Sequence, residues 1–330
     1  MLKATVYPVI LLIMVAGLLA SKRSEGTQLN FSMTETDDLG KAAIPSLSPS
    51  PPEPIKKKWG AYTGWGMNDL AEFEAKIGSE ADMQATFVHW GNESEFPLYL
   101  TPGLKEKSKK LVIFWEAMDY NLDPVNQPNY NYDAILRGDW NDYLRSFAES
   151  VKAYEGEVIL IPFEEMNGNW YAWSGTVNGN TPEKHKQAFR YVRSFFNEVK
   201  NVKFAWDVNV TSEPNTPENA MENYYPGDKY VDYLGVNGFN FGDPEPWMSF
   251  REIFDTTLRK LEMFNKPVFI FSMASADGPG KAEWIRQGLG EDVYNYANLK
   301  GWIWFNEDKE KDWRVWSDEE ALKAFQEVVR

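Results

Sequence analysis

Eight short apolar runs alternate with longer amphipathic stretches from residue 59 onward, and no other feature of the 330-residue chain restricts the fold as tightly. The runs cover residues 60–64, 85–90, 111–115, 158–163, 202–208, 233–236, 268–272 and 302–305. They are rich in Val, Ile, Phe and Trp and too short for helices, which is how strands buried on both faces read. Between them the spacing predicts helices. Over 140–154 the apolar residues Tyr143, Leu144, Phe147, Val151 and Tyr154 recur at helical period and form one face. Further helices are expected over 182–200, 250–264, 281–287 and 319–329. Eight such βα units within residues 59–330 predict an α/β fold, a single-domain (β/α)8 TIM barrel with its chemistry at the C-terminal ends of the strands.

The region before the barrel reads as address and spacer. Residues 6–20 are almost wholly apolar, with Lys3 before them and Lys22 and Arg23 after. That run is shorter than the roughly 20 residues of a bilayer span, so residues 1–20 are expected to be a signal peptide. An uncleaved membrane anchor is the alternative, because Leu18 stands where a small residue is preferred for cleavage after Ala20. Residues 21–58 combine Ser, Thr and acidic residues with Pro45, Pro49, Pro51, Pro52, Pro54 and three lysines, a composition expected to be a disordered linker. The expected location is extracytoplasmic, secreted or tethered through residues 1–20.

Composition then removes several chemistries. The chain has no Cys and only two His, His89 and His185, so disulfides, thiolate nucleophiles and Cys- or multi-His metal sites are excluded. No metal and no cofactor is expected. Asp and Glu outnumber Lys and Arg by 49 to 34, a net charge of -15 that argues against nucleic acid and suits a neutral ligand. Carboxylates and indoles remain. Trp65, Trp90, Trp115, Trp170, Trp206 and Trp304 fall at or just past six of the eight strand ends, with Trp173 nearby. Any one of them could fill the space between barrel and helices. Together they predict a cleft lined by flat apolar faces on which sugar rings stack.

The most informative segment is VILIPFEEMNGNWYAWSG, residues 158–175. A buried strand runs straight into Glu164 and Glu165. Strand alternation allows only one of them to face the barrel mouth. A carboxyl held among Met166, Trp170 and Trp173 is desolvated, which raises its pKa toward that of a general acid. Alternatively, the pair caps the following loop through the amides of Asn167 and Gly168. The segment resembles the acid/base motif of glycoside hydrolase family 26, the β-mannanases and mixed-linkage β-glucanases, which commonly reads HEMNG-WY-W.

The resemblance runs over nearly all of residues 59–330 in the same order. Phe114-Trp115-Glu116 is similar to the end of the family's third strand, and the stretch from Phe204 to Asn209 to the fifth. Asp232 to Asn240 resembles the sixth, Lys266 to Ala276 the seventh, and Trp304 to Arg314 the ending. By resemblance Glu165 is the proton donor. Trp65, Trp90, Trp115, Glu116, Glu164, Asn167, Trp170, Trp173, Asn209, Phe239 and Trp304 are expected to bind substrate, with Trp304 as the floor of the central sugar site. The implied partner is a β-linked glucan or mannan bound by a monomer, with the wording of the fourth and sixth strands leaning toward the mixed-linkage glucanases. His89 is either a hydroxyl ligand or structural, and His185 is expected to face solvent.

The sharpest departure from the family lies on the seventh strand. A retaining glycosidase needs two carboxyls roughly 5–5.5 Å apart, and the family's nucleophile is the Glu that closes the seventh strand. Here that position is Ser272. Phe239 replaces a Tyr expected to contact the nucleophile, Asn237 an Asp and Glu164 a His. These joint changes suggest natural divergence. Two readings follow. One is an endo-acting enzyme whose second carboxylate is Asp277, Glu116 or Glu164; the other is a binding protein that kept the cleft.

Overall fold

In the computed structural model, which describes residues 56–64, 67–92 and 95–330, eight parallel strands close on themselves in chain order. They are β1 (Lys58–Tyr62), β2 (Met83–His89), β3 (Lys110–Glu116), β4 (Val158–Pro162), β5 (Val202–Asn209), β6 (Tyr233–Asn240), β7 (Val268–Ser275) and β8 (Leu299–Phe305). The β1–β8 ladder, from Lys58↔Gly301 to Tyr62↔Phe305, completes the barrel. This is the expected (β/α)8 TIM barrel, and Lys56–Arg330 is one unit. The expectations for residues 1–20 and for the linker up to residue 55, like that for Trp65, lie outside the described residues. Among the described residues no helix is long and apolar enough to cross a membrane.

The intervening helices are α1 (Met67–Ile77), α2 (Thr101–Glu106), α3 (Tyr132–Arg137), α4 (Asn141–Tyr154), α5 (Pro182–Ser194), α6 (Phe250–Leu261), α7 (Lys281–Gly290) and α8 (Glu319–Val329). Local chemistry marks their starts. Thr181 accepts from the Lys184 amide at α5, Asp318 from the Ala321 amide at α8, and Ser249 with Glu252 forms a capping box at α6. α4 buries Leu144, Phe147, Val151 and Tyr154, four of its five expected apolar positions. Two strands run further than expected, β6 to Asn240 and β7 to Ser275. Their ends mix Asn, Gly and Ser with apolar residues, yet the backbone stays in the ladder from Asn237↔Ser272 to Asn240↔Ser275.

Strand parity decides what each side chain meets. Tyr62, Phe87, Phe114, Phe239 and Phe305 share the barrel interior. Phe87 stacks on Phe114 at 4.7 Å, Tyr62 on Phe305 at 4.9 Å, and Phe239 meets Phe305 edge-on at 5.9 Å. Chain neighbours of these rings, in the opposite phase, face the helices. Trp115 stacks on Phe147 of α4 at 4.5 Å, and Trp304 packs on Trp284 of α7 and Phe325 of α8.

His185, expected at the surface, is instead fully buried between barrel and helices, because its helical phase is that of Ala188, Phe189 and Val192. The Tyr132 hydroxyl stands 2.7 Å from His185 Nδ1. Burial, with Lys186 nearby, pushes the imidazole down to about 3, so the folded state holds it neutral. The unfolded chain protonates this His near pH 6.5 and the folded chain only near 3. Its contribution is therefore complete above pH 6.5 and lost as pH falls toward 3, by about 2 kcal/mol between pH 7 and pH 5. Denaturant midpoints at both pH values should show that extra loss in the wild type and not in His185→Gln; equal pH slopes would show that His185 does not control it.

Candidate active site

At the mouth, above the ring layer, β3, β4 and β5 bring four carboxyl groups together. His89 and Glu116 are paired in register on β2 and β3, and His89 Nε2 lies 2.6 Å from Glu116 Oε2. Both are buried. β4 ends at Pro162, and the chain then places Phe163 at φ 59° and Glu165 at φ 52°. Two left-handed non-glycine residues in three positions cost on the order of 1–2 kcal/mol each. Past the break Glu165 is partly open to the mouth and Glu164 is buried. Strand alternation stops before them, so Glu164 and Glu165 both act electrostatically on the cluster that contains Glu116.

The two glutamates differ in partners. Glu164 is buried, and burial together with the Glu116 charge beside it holds its carboxyl well above the usual range. Glu165 opens partly to the mouth. Its Oε2 accepts from Trp170 Nε1 at 2.9 Å, and Asn209 and Asn237 add side-chain hydrogen bonds. Desolvation raises its carboxyl, the three donors oppose that rise, and Glu116 adds to it. A partly accessible carboxyl that holds its proton above the ordinary range is suited to general-acid work.

Asp207 and Asn237 lie behind Glu165. The Glu165 amide donates to the Asp207 carbonyl at 3.0 Å, and Asn237 Nδ2 donates to Asp207 Oδ2 at 2.6 Å. Asp207 is fully buried and its carboxyl is held well above its usual range, by burial and then by Glu165. Gly235 makes room for it: a Cβ there would stand 2.1 Å from Asp207 Oδ1. The sequence reading assigned Asp207 no role, although its inward phase beside Asn209 was the available signal.

Ser272 lies opposite Asn237 across the β6–β7 ladder, 7% exposed. Val236 pairs with Ile270 and Asn237 with Ser272, so β7 carries one extra residue, Phe271, at this point. Such bulges re-aim side chains at functional ends of sheets. Phe239 is half-buried on the same side, 5.1 Å from Trp313. Asp277 lies on the exposed turn beyond β7, where it acts on buried Lys281.

Several expected sugar contacts are elsewhere. Trp90 is buried against Trp115, Trp140 and Tyr143, and Trp115 donates its indole N–H to Tyr143 at 2.8 Å. Trp206 packs outward on Tyr225 and Phe264. Trp304 donates to the Trp313 carbonyl at 2.9 Å and faces α7 and α8, so it is not a cleft floor; Phe305, next in the chain and inward, belongs to the ring layer under the mouth. Trp173 donates to the Glu164 carbonyl and stacks under Tyr171 at 4.3 Å, bracing the loop. Asn167 is buried, with its amide spent on Asn209, Thr211 and Ser212. Trp170, Glu116, Glu164, Asn209 and Phe239 remain around Glu165 and Ser272. Tyr171, which the reading overlooked, is half-buried beside them and feels the charges of Glu165, Glu116 and Glu164.

Comparison with known proteins gives the chain's relatives. Over 283 residues the chain is 32% identical to "Endoglucanase H" of Acetivibrio thermocellus, a match covering 82% of this chain and 30% of that protein. It is 23% identical over 226 residues to "Mannan endo-1,4-beta-mannosidase" of Bacillus subtilis, covering 66% and 57%. The matches thus span less than two thirds of either relative. Among solved structures, the family 26 β-mannanase of Bacteroides ovatus superposes with a TM-score of 0.62 at 16% identity, over 83% of this chain and 89% of that one, a likeness of fold. The sequence model described as glycosyl hydrolase family 26 matches residues 59–314, most of the barrel, and the chain belongs to that family.

Proposed function

We propose that the chain is an endo-acting β-glycan-processing protein whose ordinary retaining hydrolysis is suppressed, with Glu165 as proton donor and Ser272 standing where the second carboxylate is required. The observation that carries this reading is the asymmetry of the mouth. Glu165 has three side-chain donors and a raised carboxyl on one side, while the β7 end offers a neutral hydroxyl. A hydroxyl cannot stabilise an oxocarbenium-like transition state as an anion does. Neither Glu116 nor Glu164 substitutes for it well, since the first is tied to His89 and the second has its carboxyl raised well above the usual range by burial and then by the Glu116 charge. A glucan or mannan suits the acidic, neutral-ligand mouth. The N-terminal apolar segment, read as an export signal or anchor, fits a polymer met outside the cytoplasm, bound by a monomer.

The test pairs binding with turnover. The full chain, offered barley β-glucan, lichenan, glucomannan and galactomannan, is expected to bind at least one by calorimetry while releasing reducing ends about 10³-fold or more below a carboxylate-bearing family member. Ordinary turnover that Glu165→Ala abolishes would show instead that another carboxylate completes the site.

A further inference from the structure

Between the ends of β6 and β7 one indole is open to water. Trp247, on the connection from β6 to α6, is 41% exposed, whereas Trp115, Trp173, Trp206 and Trp304 are fully buried. Its ring rests on three glycines from two loops. The nearest indole atoms lie 3.3, 3.1 and 3.0 Å from where a Cβ would stand on Gly242, Gly278 and Gly280, and atoms of both rings are involved. Gly242 at φ 60° and Gly278 at φ 154° also hold backbone conformations that other residues resist. A Cβ at any of these places would press on the ring more tightly than ordinary contact, so that the ring would have to give by a few tenths of an ångström.

The loop that carries the ring is fixed. Asn240 Oδ1 accepts from the Met248 amide at 2.9 Å, and Asn240 Nδ2 donates to Ser275 Oγ at 2.9 Å, which ties β6 to β7. Trp284 donates to the Met248 carbonyl at 2.9 Å, and Lys311 to the Asp243 carbonyl. An apolar surface held in place before any ligand arrives loses little further freedom on binding. It also continues the mouth. From Asn237, opposite Ser272, the same strand leads to Phe239, then to Phe241 at 6.0 Å, and the same connection reaches Trp247. Asp243, Glu245 and Asp277 stand on the same two loops, where carboxylates accept from hydroxyls and repel anions.

We propose that Trp247 is the stacking platform of a distal sugar subsite on the β6–β7 side, taking a neutral β-linked glycan chain that extends outward from the central cleft. This rests on the glycan reading above. The experiment is a calorimetric ladder of β-gluco- and β-manno-oligosaccharides from two to six sugars, with barley β-glucan and glucomannan as polymers. Each ligand is run on the full chain and on Trp247→Ala and Trp247→Phe. Trp247→Ala is expected to weaken the longest ligands on the order of tenfold. The shortest should bind unchanged, the unfolding midpoint should hold, and Trp247→Phe should keep most of the affinity. Long ligands bound equally by wild type and Trp247→Ala would overturn the subsite and leave the central reading standing, as would an equal loss for short and long ligands. A wild type that binds no glycan of any length would overturn the glycan reading and the subsite together.

Discussion

Ser272→Glu combined with Phe239→Tyr is expected to raise release of reducing ends from the bound β-glycan by about 10³-fold or more, because it returns a carboxylate to the face of the mouth opposite Glu165. The backbone is already shaped for it, since the extra residue in β7 sets position 272 against Asn237, a donor to Glu165 and Asp207. Ser272→Glu alone should recover much less. Position 272 is 7% exposed and its β6 neighbours at the mouth include Phe239, so a lone carboxylate there would be desolvated with too few donors, at a cost of about 1–3 kcal/mol. A phenol at 239 supplies one. Reducing-end assays on wild type, both single variants and the double variant, with unfolding midpoints, check this. A double variant no faster than wild type would mean that the barrel has lost more of the site than one carboxylate. In the wild type, formate with an activated β-glycoside should give partial turnover, the small anion taking the place of the absent group.

The barrel was legible because its strands are continuous apolar runs, and a parallel sheet covered on both faces leaves no other reading for eight of them. β6 and β7 were cut short at Val236 and Ser272 for the complementary reason. Asn, Gly and Ser interrupt the apolar runs there, while the hydrogen-bonded ladder continues to Asn240 and Ser275. The aromatic cleft was the larger error, and parity exposes it. Glu116 and Trp115 are adjacent on β3, as are Trp206 and Asp207 on β5 and Trp304 and Phe305 on β8, so the two members of each pair face opposite sides. Placing Glu116 at the mouth already sent Trp115 to the helices. Of the rings that do sit inside, Phe114 and Phe305 lie one residue from Trp115 and Trp304 on the same strands, and Tyr62 and Phe87 come from β1 and β2. Parity fails at the extra residue in β7 and past β4, where left-handed Phe163 and Glu165 turn the chain. No periodicity could have signalled that both glutamates reach one cluster.

Removing the acid should cost nearly as much as restoring its partner gains. In the Ser272→Glu, Phe239→Tyr background, Glu165→Gln is expected to lower kcat on a polysaccharide by about 10²–10⁴-fold, the usual share of a positioned general acid. The loss should be far smaller on an aryl β-glycoside whose leaving group departs without a proton. That difference separates proton donation from simple support of the loop, since a collapsed site would lose both substrates alike. The pH dependence carries the same signature. Glu165 donates only while protonated, and burial, then the Glu116 charge, hold its carboxyl above the ordinary range. A carboxylate introduced at 272 adds negative charge nearby and raises it further. Activity limited by this proton therefore falls as pH rises through the elevated pKa, so the alkaline limb lies above that of a free glutamate. In Glu165→Gln that limb should disappear. If it survives with the same midpoint, the titrating acid is another member of the cluster, with Glu164, held well above its usual range by burial and by Glu116, the first to be tested by Glu164→Gln.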